Sequence, residues 1–169
     1  MNNEGKDNFL TETFICNCIK EFLTDKENGG NWHEEDTKQA GLHQRGVDLR
    51  LTGGKSKGER FLIECKKQSN QKENWLNALG QIITRISVST PKGSNEFCVP
   101  NSYRYGLGLH KDMAIIALRR IPKEAAQILN LHIFSIDNDG YVKKWTPSKF
   151  GQKYKIEEFS RLHTNSAEN

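Results

Sequence analysis

Apolar and polar positions along the chain switch between two periodicities, and the switches predict its elements. Over residues 7–25, Phe9, Ile15, Cys16, Ile19, Phe22 and Leu23 fall in one arc at about 100° per residue, which predicts an amphipathic helix ended by Gly29-Gly30. Residues 32–39 are read as a first edge strand. Gly46-Val47-Asp48-Leu49-Arg50-Leu51 alternates with period 2, sending Val47, Leu49 and Leu51 to a buried face and Asp48 and Arg50 to the other. A turn rich in Gly and Lys (52–58) leads to a second strand over 60–66, and the two are expected to pair as an antiparallel hairpin.

Residues 74–89 predict a second helix with Trp75, Leu79, Ile82, Ile83 and Ile86 on one face and Gln81 and Arg85 one turn apart. Residues 90–108, with Pro91 and Pro100, read as a long connection. The nearly continuous apolar run over 112–118 predicts a central strand buried on both faces. Pro122 starts a short helix that reaches Leu129. Two further strands, 131–136 and 141–145, flank Asp137-Asn138-Asp139-Gly140, a hairpin signal. This order predicts one mixed α/β domain over 1–160, followed by a polar, fraying tail at 161–169.

Composition narrows the class. A chain of 169 residues with 35% hydrophobic and 27% charged residues holds one core. No apolar run reaches the roughly 18 residues that span a bilayer, and the first eight residues lack a signal-like apolar core, so a cytoplasmic protein is expected. Cys16, Cys18, Cys65 and Cys98 lack zinc-type spacing and are read as free thiols, with Cys16 and Cys18 diverging by about 200° on the helix. The net charge of +4 is unevenly spread. Residues 38–72 hold nine Lys/Arg against three acids, an excess of six, and the rest of the chain sums to minus two. That is either a phosphate-binding face or a solvated one. His33, His43, His110 and His132 are scattered and read as structural, with His43 the nearest to the strand of Asp48.

The chemistry concentrates on Asp48 and on Glu64-Cys65-Lys66. On a strand, Glu64 and Lys66 share a face while Cys65 points into the core, and the hairpin carries Asp48 to the face of Glu64. Two carboxylates suit Mg²⁺, which takes oxygen ligands and keeps several waters. A cation so held would polarise a phosphate and acidify a water, and Lys66 would orient that water and offset charge in the transition state.

Gly46-Val47-Asp48 followed by Phe61-Leu62-Ile63-Glu64-Cys65-Lys66-Lys67 resembles the motif of the PD-(D/E)xK nuclease superfamily, which includes restriction endonucleases and Holliday-junction resolvases. The resemblance spans residues 7–118. It implies a restriction-endonuclease-like three-layer α/β/α core with a central mixed sheet, and Mg²⁺-dependent cleavage of DNA, with Mn²⁺ as a substitute. It further implies metal ligation by Asp48, Glu64 and the Cys65 carbonyl, Lys66 serving the nucleophilic water, and dimerisation as in many relatives. From the same likeness Gln81 and Glu12 join the catalytic set, Glu12 lying within the buried arc of the first helix. The chain departs from the pattern at Val47, where many members have proline, and at Arg85, where some carry tyrosine four residues after the glutamine. Lys55, Lys57, Arg60, Lys67, Lys72 and Arg85 are candidate DNA contacts. The alternative is a non-catalytic nucleic-acid-binding or assembly subunit on the same fold. A small-molecule enzyme is disfavoured by the lack of a nucleotide-binding glycine loop.

Overall fold

A computed structural model of the chain describes residues 10–27, 31–35, 46–54, 58–68, 74–86 and 102–159. Helix α1 (Glu12–Thr24) starts at Thr11, whose hydroxyl accepts the Phe14 N–H and so satisfies one of the donors a helix start leaves open. A six-stranded sheet follows, in spatial order β1 (Trp32–Glu34), β2 (Leu49–Gly53), β3 (Glu59–Lys66), β4 (Tyr103–His110), β5 (Leu131–Ile136) and β6 (Val142–Trp145). The β3–β4 and β4–β5 pairs are parallel and the other three antiparallel, so the sheet is mixed. Helix α2 (Trp75–Ile83) connects β3 to β4, and α3 (Lys111–Arg120) with α4 (Lys123–Ile128) connects β4 to β5. Parallel neighbours require such crossovers.

Helices cover both faces. On one, α1 buries Ile15, Ile19 and Leu23 against Leu49, Leu51, Phe61, Ile63, Cys65, Phe134 and Ile136. On the other, α2, α3 and α4 bury Trp75, Ala78, Ile82, Met113 and Leu118 against Leu62, Tyr105, Leu107, Leu109 and Ile133. The chain is thus an α/β protein with a mixed sheet between helices.

Two expectations are corrected. Residues 112–118 form helix α3, not a central strand. An apolar run of that length fits a buried helix as well as a buried strand, and here Met113, Ala114, Ile115, Ala117 and Leu118 are all buried. The central strand is β4, inside the stretch read as a connection. Gly106 and Gly108 disguise it, yet they are packing residues: a Cβ at Gly108 would lie 2.5 Å from Ile19 Cδ1 and 2.8 Å from Cys65 Sγ. The bare backbone of Gly108 admits α1 to the sheet, and that of Gly106 makes room for Ile63, Phe134 and Phe61.

Smaller corrections concern edges. β2 begins at Leu49 and not Gly46, because Gly46 has φ 94° and the chain bends at Asp48. Val47 consequently packs with the α2-side core, while Leu49 and Leu51 face α1. Ile83, placed on the buried face of α2, is 51% exposed. The antiparallel β2–β3 and β5–β6 pairs and the edge position of β1 agree with the sequence reading. Among the described residues, no helix is long and apolar enough to cross a membrane.

Candidate active site

The site forms at the C-terminal end of β3, where β2 has not yet begun. The last ladder pair is Leu49↔Ile63, and one further step sets Asp48 across from Glu64. Here the ladder is replaced by a side chain: Asp48 Oδ2 accepts the Cys65 N–H at 2.7 Å. In an extended strand the N–H and C=O of one residue point the same way, so the Cys65 carbonyl faces the same opening. The Arg60 N–H, of opposite parity, goes to Ser102 on the β4 side.

Glu64 and Lys66 share the α2 face with Leu62, as strand alternation predicts. Glu64 is 1% exposed and paired on both oxygens. Lys66 Nζ donates to its Oε1 at 3.3 Å, and Arg85 Nη1 to its Oε2 at 2.8 Å. Lys66 also stands 3.7 Å from Glu12 Oε1, at the first turn of α1. Arg85 Nη2 donates to the Gly46 carbonyl at 2.8 Å, tying the bend before β2 to the end of α2. The result is one chain of charges, Glu12, Lys66, Glu64 and Arg85, with Asp48 beside it.

Burial raises the Glu64 pKa above its ordinary value, and the charge of Asp48 raises it further, against the opposing pull of Arg85 and Lys66. Arg50, 8% exposed, carries a lowered pKa, chiefly from burial, with Glu35 opposing and Arg85 adding to the shift. A cation bound beside Glu64 would offset this cost of burying the charged carboxylate.

Scanned against protein-family models, curated proteins and solved structures, the chain matches none. The site therefore stands on its own geometry.

Asp48, Glu64, Lys66 and Glu12 are brought to one place. Gln81 lies one turn before Arg85, and its buried Oε1 has no hydrogen-bond partner among the described residues. Of the proposed DNA contacts, Lys67 is exposed beside the site. Arg60 is not near it: four residues down β3, or about 13 Å, it donates to the Tyr103 hydroxyl at 2.8 Å and pairs with Glu35 at 3.5 Å. Arg60 lines a separate cleft of about 430 Å³ with Glu34, Glu35, Thr52, Gly58, Ser102 and Tyr103. Lys55, Lys57, Lys72 and His43 lie outside the described residues. His110 accepts from the Asp112 N–H to cap α3, and His132 contacts Asn130 and the Phe61 ring, so both are structural.

Sequence reasoning missed what Arg85 does. Placed as a phosphate contact, it is bonded to Glu64 across 21 positions of sequence. The only advance signal was its position one turn after Gln81.

The oxygen donors suit a hard cation. Asp48 and Glu64 supply carboxylates and Cys65 a carbonyl, the donor types that Mg²⁺ takes. The unfavourable ionisation of Glu64 gives that cation a reason to bind.

Proposed function

We propose that this protein is a metal-dependent nuclease that hydrolyses phosphodiester bonds in DNA, with Asp48, Glu64 and Lys66 at its centre. The observation that carries the reading is the buried Glu64, held at the open end of β3 between Lys66 and Arg85, with Asp48 fixed across from it. Asp48, Glu64 and the Cys65 carbonyl would hold Mg²⁺, or Mn²⁺ in its place. When bound, such an ion polarises the phosphate and lowers the pKa of a coordinated water.

The chain's own groups do the rest. Lys66, flanked by Glu64 and Glu12, presents an ammonium at a fixed point, suited to orient the attacking water and to offset charge on the phosphorane-like transition state. Arg85 holds Glu64 and Gly46 in register, which fixes the distance between the two carboxylates. Gln81 offers an amide oxygen, unpaired among the described residues, one turn away from Arg85. Lys67 is an exposed cation just past the end of this strand and would take the DNA backbone. Pairing of two copies on a duplex belongs to the same proposal.

One observation favours the second reading, a nucleic-acid-binding subunit that keeps the fold without the chemistry. Glu64 already has two cationic partners, so the cluster also works as an ionic clasp. Purified protein incubated with Mg²⁺ or Mn²⁺ on linear, nicked, branched and single-stranded DNA decides between them. The nuclease reading expects cleavage of at least one substrate, reduced about 100-fold or more by Lys66→Ala or Glu64→Gln. No cleavage of any substrate, or cleavage unchanged in Lys66→Ala, overturns it. Salt-sensitive DNA binding indifferent to Glu64→Gln then identifies the binding subunit.

A further inference from the structure

The end of β3 has a second side. Glu64 and Lys66 face α2, but Cys65 between them faces α1, where its thiol lies beside that of Cys16. Asp48 completes a group: the sulfurs of Cys16 and Cys65 and a carboxylate oxygen of Asp48 all lie within 4.8 Å of one another. Three separate elements, α1, β3 and the bend before β2, bring these atoms together. Spacing in the sequence gives no hint of it, since 49 positions part the two cysteines.

We propose that Cys16, Cys65 and Asp48 form a site for a thiophilic divalent cation of the Zn²⁺ class, which shares Asp48 with the oxygen site and differs from it in chemistry. Tetrahedral Zn²⁺ with bonds of about 2.3 Å to sulfur holds two thiolates roughly 3.8 Å apart. Atoms already within 4.8 Å reach that geometry with small side-chain rotations. Two sulfurs select Zn²⁺ or Cd²⁺ over Mg²⁺. The carboxylate is already aimed, because Asp48 Oδ2 is fixed by the Cys65 N–H at 2.7 Å, the kind of supporting bond that orients metal ligands. Cys16 is half-buried and Asp48 exposed, which gives the ion an entry route and a water a fourth position. Binding forms two metal–sulfur bonds and one metal–oxygen bond, releases one proton from each thiol to solvent, and changes no oxidation state.

The test uses the full chain, reduced and stripped of metal by a chelator, titrated with Cd²⁺. Thiolate-to-cadmium charge-transfer absorption is expected to saturate at one ion per chain and to be displaced by Zn²⁺. Cys16→Ser and Cys65→Ser are expected to abolish the band, Cys18→Ser and Cys98→Ser to keep it. Asp48→Asn is expected to weaken binding by at least about tenfold, the loss typical even of outer-shell partners. Circular dichroism checks that each variant folds; the half-buried Cys16→Ser carries the test if Cys65→Ser does not. No band in the reduced wild-type protein, or an undiminished band in Cys16→Ser, overturns the site, and unchanged affinity in Asp48→Asn removes the carboxylate from it. DNA cleavage plays no part in these readouts, so failure here leaves the nuclease reading standing, and its failure leaves this one.

Discussion

Two regions of the same sheet bury charge, and they tolerate it by opposite means. On the α2 face, the buried Glu64 carboxylate meets two cations, Arg85 and Lys66, one at each oxygen. On the α1 face, at the other end of the strands, Lys144 lies over the Phe61 ring at 5.3 Å and the Phe134 ring at 6.0 Å, beside His132. There the charge that acts most on Lys144 is another cation, Arg104, itself paired with Glu59 at 2.8 Å. Burial, with Arg104 adding, lowers the Lys144 pKa to about 8. Burial, with Lys144 and Arg104 adding, lowers that of His132 to about 3. The first region is an electrostatic construction that fails if one member is removed. The second is an aromatic core that favours proton loss, and it gains if its cation is removed.

The largest stability effect is expected at Arg85. Arg85→Ala leaves Glu64 with Lys66 as its ion-pair partner among the described residues and unties Gly46, and removing one member of a buried pair costs about 3 kcal/mol at neutral pH. The pH dependence has a definite sign. Glu64 in the folded protein binds its proton more tightly than in the unfolded chain. Its contribution is therefore full below the ordinary carboxylate range and is lost as pH rises through the raised pKa. Arg85→Ala raises that pKa further, so the deficit should shrink on acidification. Urea unfolding of both proteins across the acidic range measures it. A deficit independent of pH would mean that Arg85 acts through packing alone.

The α1 face answers to shape. Gly108→Ala sets a methyl group 2.5 Å from Ile19 and 2.8 Å from Cys65 Sγ, both fully buried. Overpacking of this kind costs about 2 kcal/mol, and the strain falls on α1 and the Cys65 thiol, not on Glu64. A melting curve gives the magnitude, and the reactivity of the Cys16 thiol gives the location. Gly80→Ala, with nothing within 4 Å of the added methyl group, is the control and should stabilise α2 by up to about 1 kcal/mol.

These differences also mark how far the sequence could be read. β3 was legible because its alternation is strict and its apolar run ends in Glu64-Cys65-Lys66, so the shared face of Glu64 and Lys66 followed from geometry. β4 was not, because Gly106 and Gly108 mimic a loop; their purpose is visible once the side chains of α1 and of the flanking strands lie against them. Helix α3 was mistaken for a strand because burial on most sides erases the helical period. The hairpin reading carried Asp48 to the face of Glu64; the structure sets it across from Glu64, but its bend and its bond to Cys65 depend on Gly46, whose φ no pattern reveals. The Arg85–Glu64 and Cys16–Cys65 encounters are tertiary, and local periodicity carries no trace of either.

The smallest effect is expected in the aromatic region, and it sharpens the contrast because its sign is reversed. Below pH 8, Lys144 is charged in both folded and unfolded chains, so its burial penalty is present in full. Between about 8 and 10.5 the unfolded chain holds a proton that the folded protein has released, so stability rises with pH across that window. Lys144→Met should abolish that rise. At pH 7 it should stabilise the protein by about 1 kcal/mol, the relief of desolvation outweighing the loss of a cation–π contact worth about 0.5–1 kcal/mol. His132 supplies a second readout. Its folded pKa of about 3 makes stability fall as pH drops from about 6.5 toward 3, and with the Lys144 charge removed that pKa should move up toward the ordinary imidazole range. NMR titration of the His132 ring in wild type and Lys144→Met tests the coupling directly. An unmoved pKa would assign the His132 shift to burial and Arg104 and leave Lys144 no electrostatic part in this face of the sheet.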